Sequence, residues 1–309
     1  MSSAFFTTND GDIILRAGPD LDSKHDFCVH KLILSLASPV FKDMFTFPQP
    51  PDQALGEGHR LPIVDIPESP KVIDTILRLI YPGVEPPKIA NVPTLTALLS
   101  AADKYNITSI YPVLRDALEA RLSRHSSFEV YVVACRFGFP EVAKAAARVG
   151  NTQSVIEGSL EEEVRHVSGV DVFRWVKFVQ DREREGRSKI KELLDWWQLD
   201  YAADCNHGET GKEFYFRLEK AVEEVFVENP CVGSNDLFAL LYKVPDPPLG
   251  CGPSPYTESG EHYYDACVME AFNCPLRPMS IRGNLTGIVE ELTRINRTML
   301  ERAFGKESG

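Results

Sequence analysis

The residues of this sequence best suited to metal chemistry are cysteines and a histidine in its C-terminal half. They are Cys205, His207, Cys231, Cys251, Cys267 and Cys274. Thiolate and imidazole are zinc ligands, but a structural zinc site normally shows closely spaced ligand pairs of the Cys-x-x-Cys kind. Cys267 and Cys274 are too far apart to form such a pair. We therefore expect no metal and cysteines that pack as small apolar side chains, with zinc binding by Cys205, His207, Cys267 and Cys274 as the alternative.

Acid–base residues form no recognisable catalytic set. His207, Glu209 and His262 could act as proton donors or acceptors, but there is no Gly-rich phosphate loop, nucleophile elbow or His-Glu-x-x-His motif. His30 lies between a predicted strand and a predicted helix, without a paired nucleophile, which favours a structural role. We predict that the chain is not an enzyme, has no catalytic residues and needs no cofactor. An enzymatic or zinc-binding C-terminal half is the competing hypothesis.

Composition indicates a folded protein of two domains. The chain has 309 residues, of which 43% are hydrophobic and 25% charged, values typical of globular proteins. A net charge of -12 disfavours binding to a phosphate backbone, and the sequence has no basic patch to reverse that effect. The run of alternating charge at residues 181–187 predicts a solvated helix face. Nucleic acid is therefore not an expected partner.

The sequence also lacks the signals of membrane insertion or export. No apolar stretch approaches the roughly 20 residues that a membrane-spanning helix needs, and the first residues do not form a secretory signal. We expect a cytoplasmic or nuclear protein, no membrane partner, and free thiols in place of a disulfide framework.

The first 120 residues carry clear signals of strands, helices and turns. Residues 12–16 and 27–29 are predicted to form a hairpin, and residues 61–66 a third strand. Ser38-Pro39 and Ser69-Pro70 each combine a capping hydroxyl with a proline suited to the first helical position. The predicted order is hairpin, two helices, strand and three helices. In the first helix, at residues 30–37, the spacing of Leu32, Ile33 and Leu36 predicts a face directed into the core.

These elements and their motifs resemble the BTB/POZ domain. The resemblance is carried by residues 11–15 (GDIIL), 27–34 (FCVHKLIL), 38–45 (SPVFKDMF), 79–83 (LIYPG) and 101–105 (AADKY). It implies an α+β fold, a small sheet with a cluster of helices, in a domain spanning residues 1–122. It also implies a module that binds other proteins, commonly as a homodimer, and has no catalytic group.

Two further segments, residues 47–52 and 61–69, resemble in sequence the BTB proteins of fungi.

The resemblance implies that Asp12 and Lys31 form a buried charged pair near the dimer face. Removing one partner of such a pair strands the other charge at a cost of about 3–5 kcal/mol. The alternative is that both residues hold strand and helix together within one subunit. The sequence leaves both interpretations open.

Many BTB proteins present substrates to a cullin-type ubiquitin ligase, and Phe41, Met44 and Phe45 match the helix that would contact the cullin. Adaptors of this kind carry a hydrophobic-x-Glu element soon after that helix. Residues 55–57 have this form but are displaced along a proline-rich loop. Apolar residues at helical spacing are also ordinary core anchors, so Phe41, Met44 and Phe45 have that alternative role.

The second half, residues 123–309, is predicted to be an all-helical domain. Helices are expected at residues 128–137, 140–149, 170–180, 189–199 and 212–227, followed by a Pro/Gly-rich loop near 244–260. The first pair is similar to the helical extension that follows many BTB domains. The last helix has a clean apolar stripe: Leu285, Ile288, Val289, Leu292, Ile295 and Met299.

Together these features predict a non-enzymatic protein that binds other proteins and forms a homodimer through its BTB domain. A substrate adaptor for a cullin-type ubiquitin ligase is the alternative function of the same class.

Overall fold

The fold is described from a computed structural model of the chain. It describes residues 6, 10–19, 24–47, 61–89, 91–123, 126–152, 154–155, 164–202, 208–233, 237 and 277–305. The chain divides into two compact units, Met1–Arg121 and Leu122–Gly309. The first combines a sheet with helices and the second is mainly helical, which confirms the predicted fold class.

The described strands of the N-terminal unit form a three-stranded mixed sheet. Its strands are β1 (Ile13–Ala17), β2 (His25–Val29) and β3 (Ile63–Ile66), in the order β2-β1-β3. β1 is antiparallel to β2, with Ile13 opposite Val29, and parallel to β3, with Ile14 opposite Ile63. Alternate residues of β1 are buried, because side chains of a strand point to its two faces in turn. The predicted hairpin is confirmed, and the third strand is shorter than predicted.

The described residues of this unit also form five α-helices. They are α1 (Lys31–Ala37), α2 (Pro39–Thr46), α3 (Pro70–Ile80), α4 (Val92–Lys104) and α5 (Tyr111–Glu119). The hydroxyls of Ser38 and Ser69 accept hydrogen bonds from backbone N–H groups in the first turns of α2 and α3, as the Ser-Pro signals predicted. Buried leucines of α4, namely Leu95, Leu98 and Leu99, lie in the centre of the unit.

The exposed face of α1 corrects one prediction from the sequence. Leu32 and Leu36 are 70% and 80% exposed, whereas Leu34 is buried. Each α-helical residue turns the chain by about 100°, so Leu32 and Leu36 both lie nearly opposite Leu34. The apolar pair is thus directed to solvent and not into the core.

The C-terminal unit is built from helices α6 (Ser127–Arg136), α7 (Pro140–Val149), α8 (Gly169–Ala202), α9 (Gly208–Glu228) and α10 (Arg277–Phe304). α6 packs against α7, and α8 packs against both α9 and α10. The predicted stripe of α10 is confirmed, since Leu285, Ile288 and Leu292 belong to the core that Leu218, Val222 and Phe226 of α9 complete.

α8 is one helix of 34 residues, where the sequence predicted two. The intervening run contains strong helix formers and no proline, so nothing interrupts the backbone ladder. Its glycine, Gly186, gives close packing: a Cβ there would lie 2.1 Å from a ring carbon of Phe226. Glycine in this helix therefore allows α9 to approach.

The same run contains a buried charge where a solvated face was predicted. Arg182 has no exposed surface. Its guanidinium donates to the carbonyl oxygens of Ala147 (3.1 Å), Arg148 (3.3 Å) and Gly150 at the C-terminal end of α7. It also lies 5.0 Å from the centre of the Phe178 ring. A cation is favourable at this end of a helix because its carbonyls carry partial negative charge, while burial lowers the pKa of Arg182 to about 10.

We expect Arg182→Met to lower the unfolding free energy of the C-terminal unit by about 2–4 kcal/mol, because buried carbonyls lose their donors. Arg184→Met is the matched control on the same helix. Arg184 is 74% exposed and pairs with Asp181 at 2.6 Å, and such surface pairs contribute about 0–1 kcal/mol. Urea denaturation of both variants measures the difference, and equal losses would refute the structural role given to Arg182.

Candidate interaction surfaces

Among the described residues of the N-terminal unit, the two most exposed large apolar side chains lie on α1. Leu32 and Leu36 are four positions apart and therefore occupy one face of the helix, and most of each side chain is accessible. Isolated exposed leucines are common on proteins, but two neighbouring ones on a short helix form a continuous apolar strip. We call Leu32 and Leu36 the α1 strip. Burying it against another surface would be favourable by the usual area-dependent hydrophobic effect.

Asp12 and Lys31 are brought together beside the α1 strip. The carboxylate oxygen Oδ1 of Asp12 accepts a hydrogen bond of 2.7 Å from the backbone N–H of Lys31. Lys31 is the first residue of α1, and the preceding residue, His30, provides no side-chain cap. Asp12, the residue before β1, thus caps the helix from a distant part of the chain, where an anion also complements the helix dipole. In the single chain Asp12 is exposed and Lys31 half-buried, so the two are joined through the backbone and are not a buried pair of side chains.

His30 has a structural environment, as predicted. Its backbone N–H donates to the hydroxyl of Tyr81 at 2.8 Å, and its Nδ1 lies 3.3 Å from the same oxygen. Burial is the main cause that raises the pKa of Tyr81, so the phenol stays protonated at neutral pH. His30 therefore fixes the entry into α1 by packing against the end of α3.

The three predicted partner-binding residues of α2 differ in accessibility. Phe41 is only 2% exposed, and its ring stacks on that of Tyr105 with centroids 4.7 Å apart. Its side chain is a core anchor and offers no surface to a partner, which corrects its assignment. Met44 and Phe45 are half-buried. The next apolar residue, Phe47, is 67% exposed and was missed by sequence reasoning.

Several candidates named from the sequence lie outside the described residues. These are the hydrophobic-x-Glu element at 55–57, the loop at 244–260, and the zinc or catalytic candidates Cys205, His207, His262, Cys267 and Cys274. The side chain of Glu209 is not described either. Within the described ranges, no group of three or more His, Cys, Asp or Glu residues is placed to hold a metal ion. Nor is any helix in those ranges both long and apolar enough to cross a bilayer.

Comparisons with known proteins concern the N-terminal unit. The family model described as the BTB/POZ domain matches residues 7–122. TD and POZ domain-containing protein 5 of Mus musculus is 32% identical over 110 residues, which cover 36% of this chain and 30% of that protein. TD and POZ domain-containing protein 1 of the same species is 31% identical over 110 residues, covering 36% of this chain and 28% of that protein. The matched region is thus less than a third of each relative.

We expect Asp12→Ala to lower the unfolding free energy by about 0.5–2 kcal/mol, as loss of a helix N-cap does. Asp12→Asn keeps an acceptor oxygen for the Lys31 N–H but removes the charge, so most of that stability should remain. Denaturant unfolding of both variants measures the capping role of Asp12. Light scattering of the same variants measures its role at a dimer face. Equal destabilisation by Ala and Asn would contradict the capping role.

Proposed function

Because residues 7–122 are a BTB/POZ domain, a protein–protein interaction module, we propose that this chain functions by binding proteins and assembles as a homodimer. The observation that carries this proposal is the α1 strip. Leu32 and Leu36 are large, apolar and exposed. Their exposure is understandable if a second surface covers them.

A twofold axis suits this surface. In a symmetric dimer the same patch meets itself, so an apolar strip is buried by its own copy. Oppositely charged neighbours add selectivity: Asp12 and Lys31 lie beside the strip, and a twofold axis can bring Lys31 of one subunit towards Asp12 of the other. In this arrangement Asp12 caps α1 within one subunit and its charge is available to Lys31 of the second subunit.

Light scattering of the full chain tests the dimer. Wild-type protein is expected at twice the mass of one chain, and the double variant Leu32→Ser/Leu36→Ser at the mass of one chain at the same concentration, because the interface loses its apolar centre. Both residues are exposed, so the variant should retain the thermal stability of a folded monomer.

The matched control is Val113→Ser, at an exposed apolar residue of α5, which should leave the dimer intact. A monomeric wild-type chain, or a double variant that stays dimeric, would refute the assignment.

A second candidate function is presentation of substrates to a cullin-type ubiquitin ligase. It is favoured by Phe47, which is exposed directly after α2, and by the partly accessible Met44 and Phe45 on that helix. An exposed aromatic residue next to half-buried apolar side chains is a common form of binding hot spot. We call Met44, Phe45 and Phe47 the α2 patch.

Calorimetric titration with a purified cullin N-terminal region tests this candidate. Binding should weaken about tenfold or more in Phe47→Ser, as for loss of an aromatic anchor, while Leu32→Ser/Leu36→Ser should retain the affinity per chain. The candidate is withdrawn if the wild-type chain shows no association at about 100 μM, which corresponds to about -5.5 kcal/mol.

A further inference from the structure

The helical unit contains a groove that the dimer proposal does not use. Its volume is about 350 Å³, and it lies where the ends of four helices meet. The walls are formed largely by small or apolar residues, among them Ala134, Phe139, Pro140, Ala143, Ala303 and Phe304. Such walls favour a ligand with an apolar side chain over a free polar ion.

Neither the thiol nor the phenol that lines the groove is activated for chemistry. Cys135 is among its lining residues, but burial raises the pKa of that thiol to about 11. The thiol is therefore protonated at neutral pH and is a poor nucleophile. The hydroxyl of Tyr131 donates to the backbone oxygen of Asp171 at 2.9 Å, so it is also committed within the fold.

An exposed apolar flank continues from the groove along α8. Arg174 lines the groove, and Val170 lies one helical turn before it on the same side of the helix. Val170 and Phe173 are 64% and 66% exposed. We call Val170, Phe173, Arg174 and Lys177 the α8 flank. The groove and the α8 flank together form one apolar site, in which the groove is the concave part and the α8 flank borders it.

The charges of the α8 flank indicate the chemistry of its partner. Arg174 pairs with Asp171 at 2.7 Å and keeps 42% of its side chain exposed. Lys177 follows Phe173 by one turn and is exposed, and no hydrogen bond or ion pair links it to another described residue. Cations beside an apolar surface attract a partner that carries carboxylates next to its apolar side chains. Lys144 and Asp171 also line the groove, and Lys144 pairs with Glu141 at 3.3 Å, so Lys177 supplies the uncompensated positive charge of this surface.

A second copy of the chain does not suit this site. In a symmetric contact the α8 flank would meet itself, so Arg174 and Lys177 would approach their own copies and repel them. A groove also cannot be filled by another groove. From these features we propose that the groove and the α8 flank bind a short acidic peptide segment of a partner protein, anchored by a large apolar side chain.

The test uses a library of random peptides of about a dozen residues, enough for about three helical turns. The library is selected on the full-length chain, and enriched peptides are labelled with fluorescein and titrated by fluorescence anisotropy. We expect the enriched peptides to combine Asp or Glu with large apolar residues. Their affinity should fall about tenfold in Phe173→Ser, as for loss of an apolar hot spot, and fall in Lys177→Glu.

The chain provides a matched control pair on α9. Phe216 is 51% exposed, and Lys220 follows it at the same spacing, with its Nζ 4.5 Å from the ring centre. Phe216→Ser and Lys220→Glu should leave the peptide affinity unchanged. Leu32→Ser/Leu36→Ser should also leave the affinity per chain unchanged, so failure of the dimer proposal and failure of this one are distinguishable.

Three results would overturn the proposal. The first is a selection that enriches nothing, or enriches peptides without acidic residues. The second is an affinity that Phe173→Ser and Lys177→Glu leave intact. The third is a Phe173→Ser variant that no longer self-associates in light scattering, because the α8 flank would then bind a second copy of the chain. Circular dichroism melting of each variant confirms that it is folded.

Discussion

Ser38 fixes the geometry on which the surface of the N-terminal unit depends. Its backbone N–H donates to Leu34 at the end of α1, at 2.9 Å, and its hydroxyl accepts from Phe41 N–H in the first turn of α2, at 3.0 Å. The same hydroxyl donates to the carbonyl of Tyr105, at 2.5 Å, just after α4. One fully buried residue thus ends one helix through its backbone, begins the next through its side chain and anchors both to the core. With α1 held in this way Leu34 faces inward, and Leu32 and Leu36 must face solvent.

Both units also use a distant charged side chain to complete a helix end that has no side-chain cap from its own flanking residue. Asp12 reaches the N-terminal end of α1 from beside β1, and Arg182 of α8 reaches the C-terminal end of α7. The sign of each charge matches the helix dipole, negative at the N-terminus and positive at the C-terminus. These contacts join elements that are distant in sequence. They therefore stabilise the tertiary arrangement more than the isolated helices, which are too short to be stable alone.

Local chemistry made much of the fold predictable, and tertiary chemistry explains what was missed. The Ser-Pro starts and the hairpin depend on neighbouring residues, so α2, α3 and the β1–β2 pair could be read from the sequence. Helical spacing groups Leu32 with Leu36 but does not tell which surface, the core or a partner, will cover them. The same ambiguity concealed the difference between Phe41, which stacks on Tyr105, and the exposed Phe47. The alternating charges around Arg182 predicted a solvated side chain. That prediction was wrong because the partners of Arg182 are backbone carbonyls, which a pattern of charged residues does not reveal.

The α1 strip and the α8 flank differ in the symmetry of the contacts they can make. An apolar strip bordered by both signs of charge is compatible with its own copy, whereas a groove bordered by cations requires a partner of different shape and charge. A dimer held through α1 would carry two such grooves. After one acidic segment of a two-segment partner has bound the first groove, its other segment could bind the second groove of the same dimer. This second step is intramolecular, with an effective concentration on the order of millimolar when the linker between the segments spans both grooves. Weak contacts at each groove would thereby suffice for stable capture, and the proposed dimer would then have a function beyond the stability of the N-terminal unit.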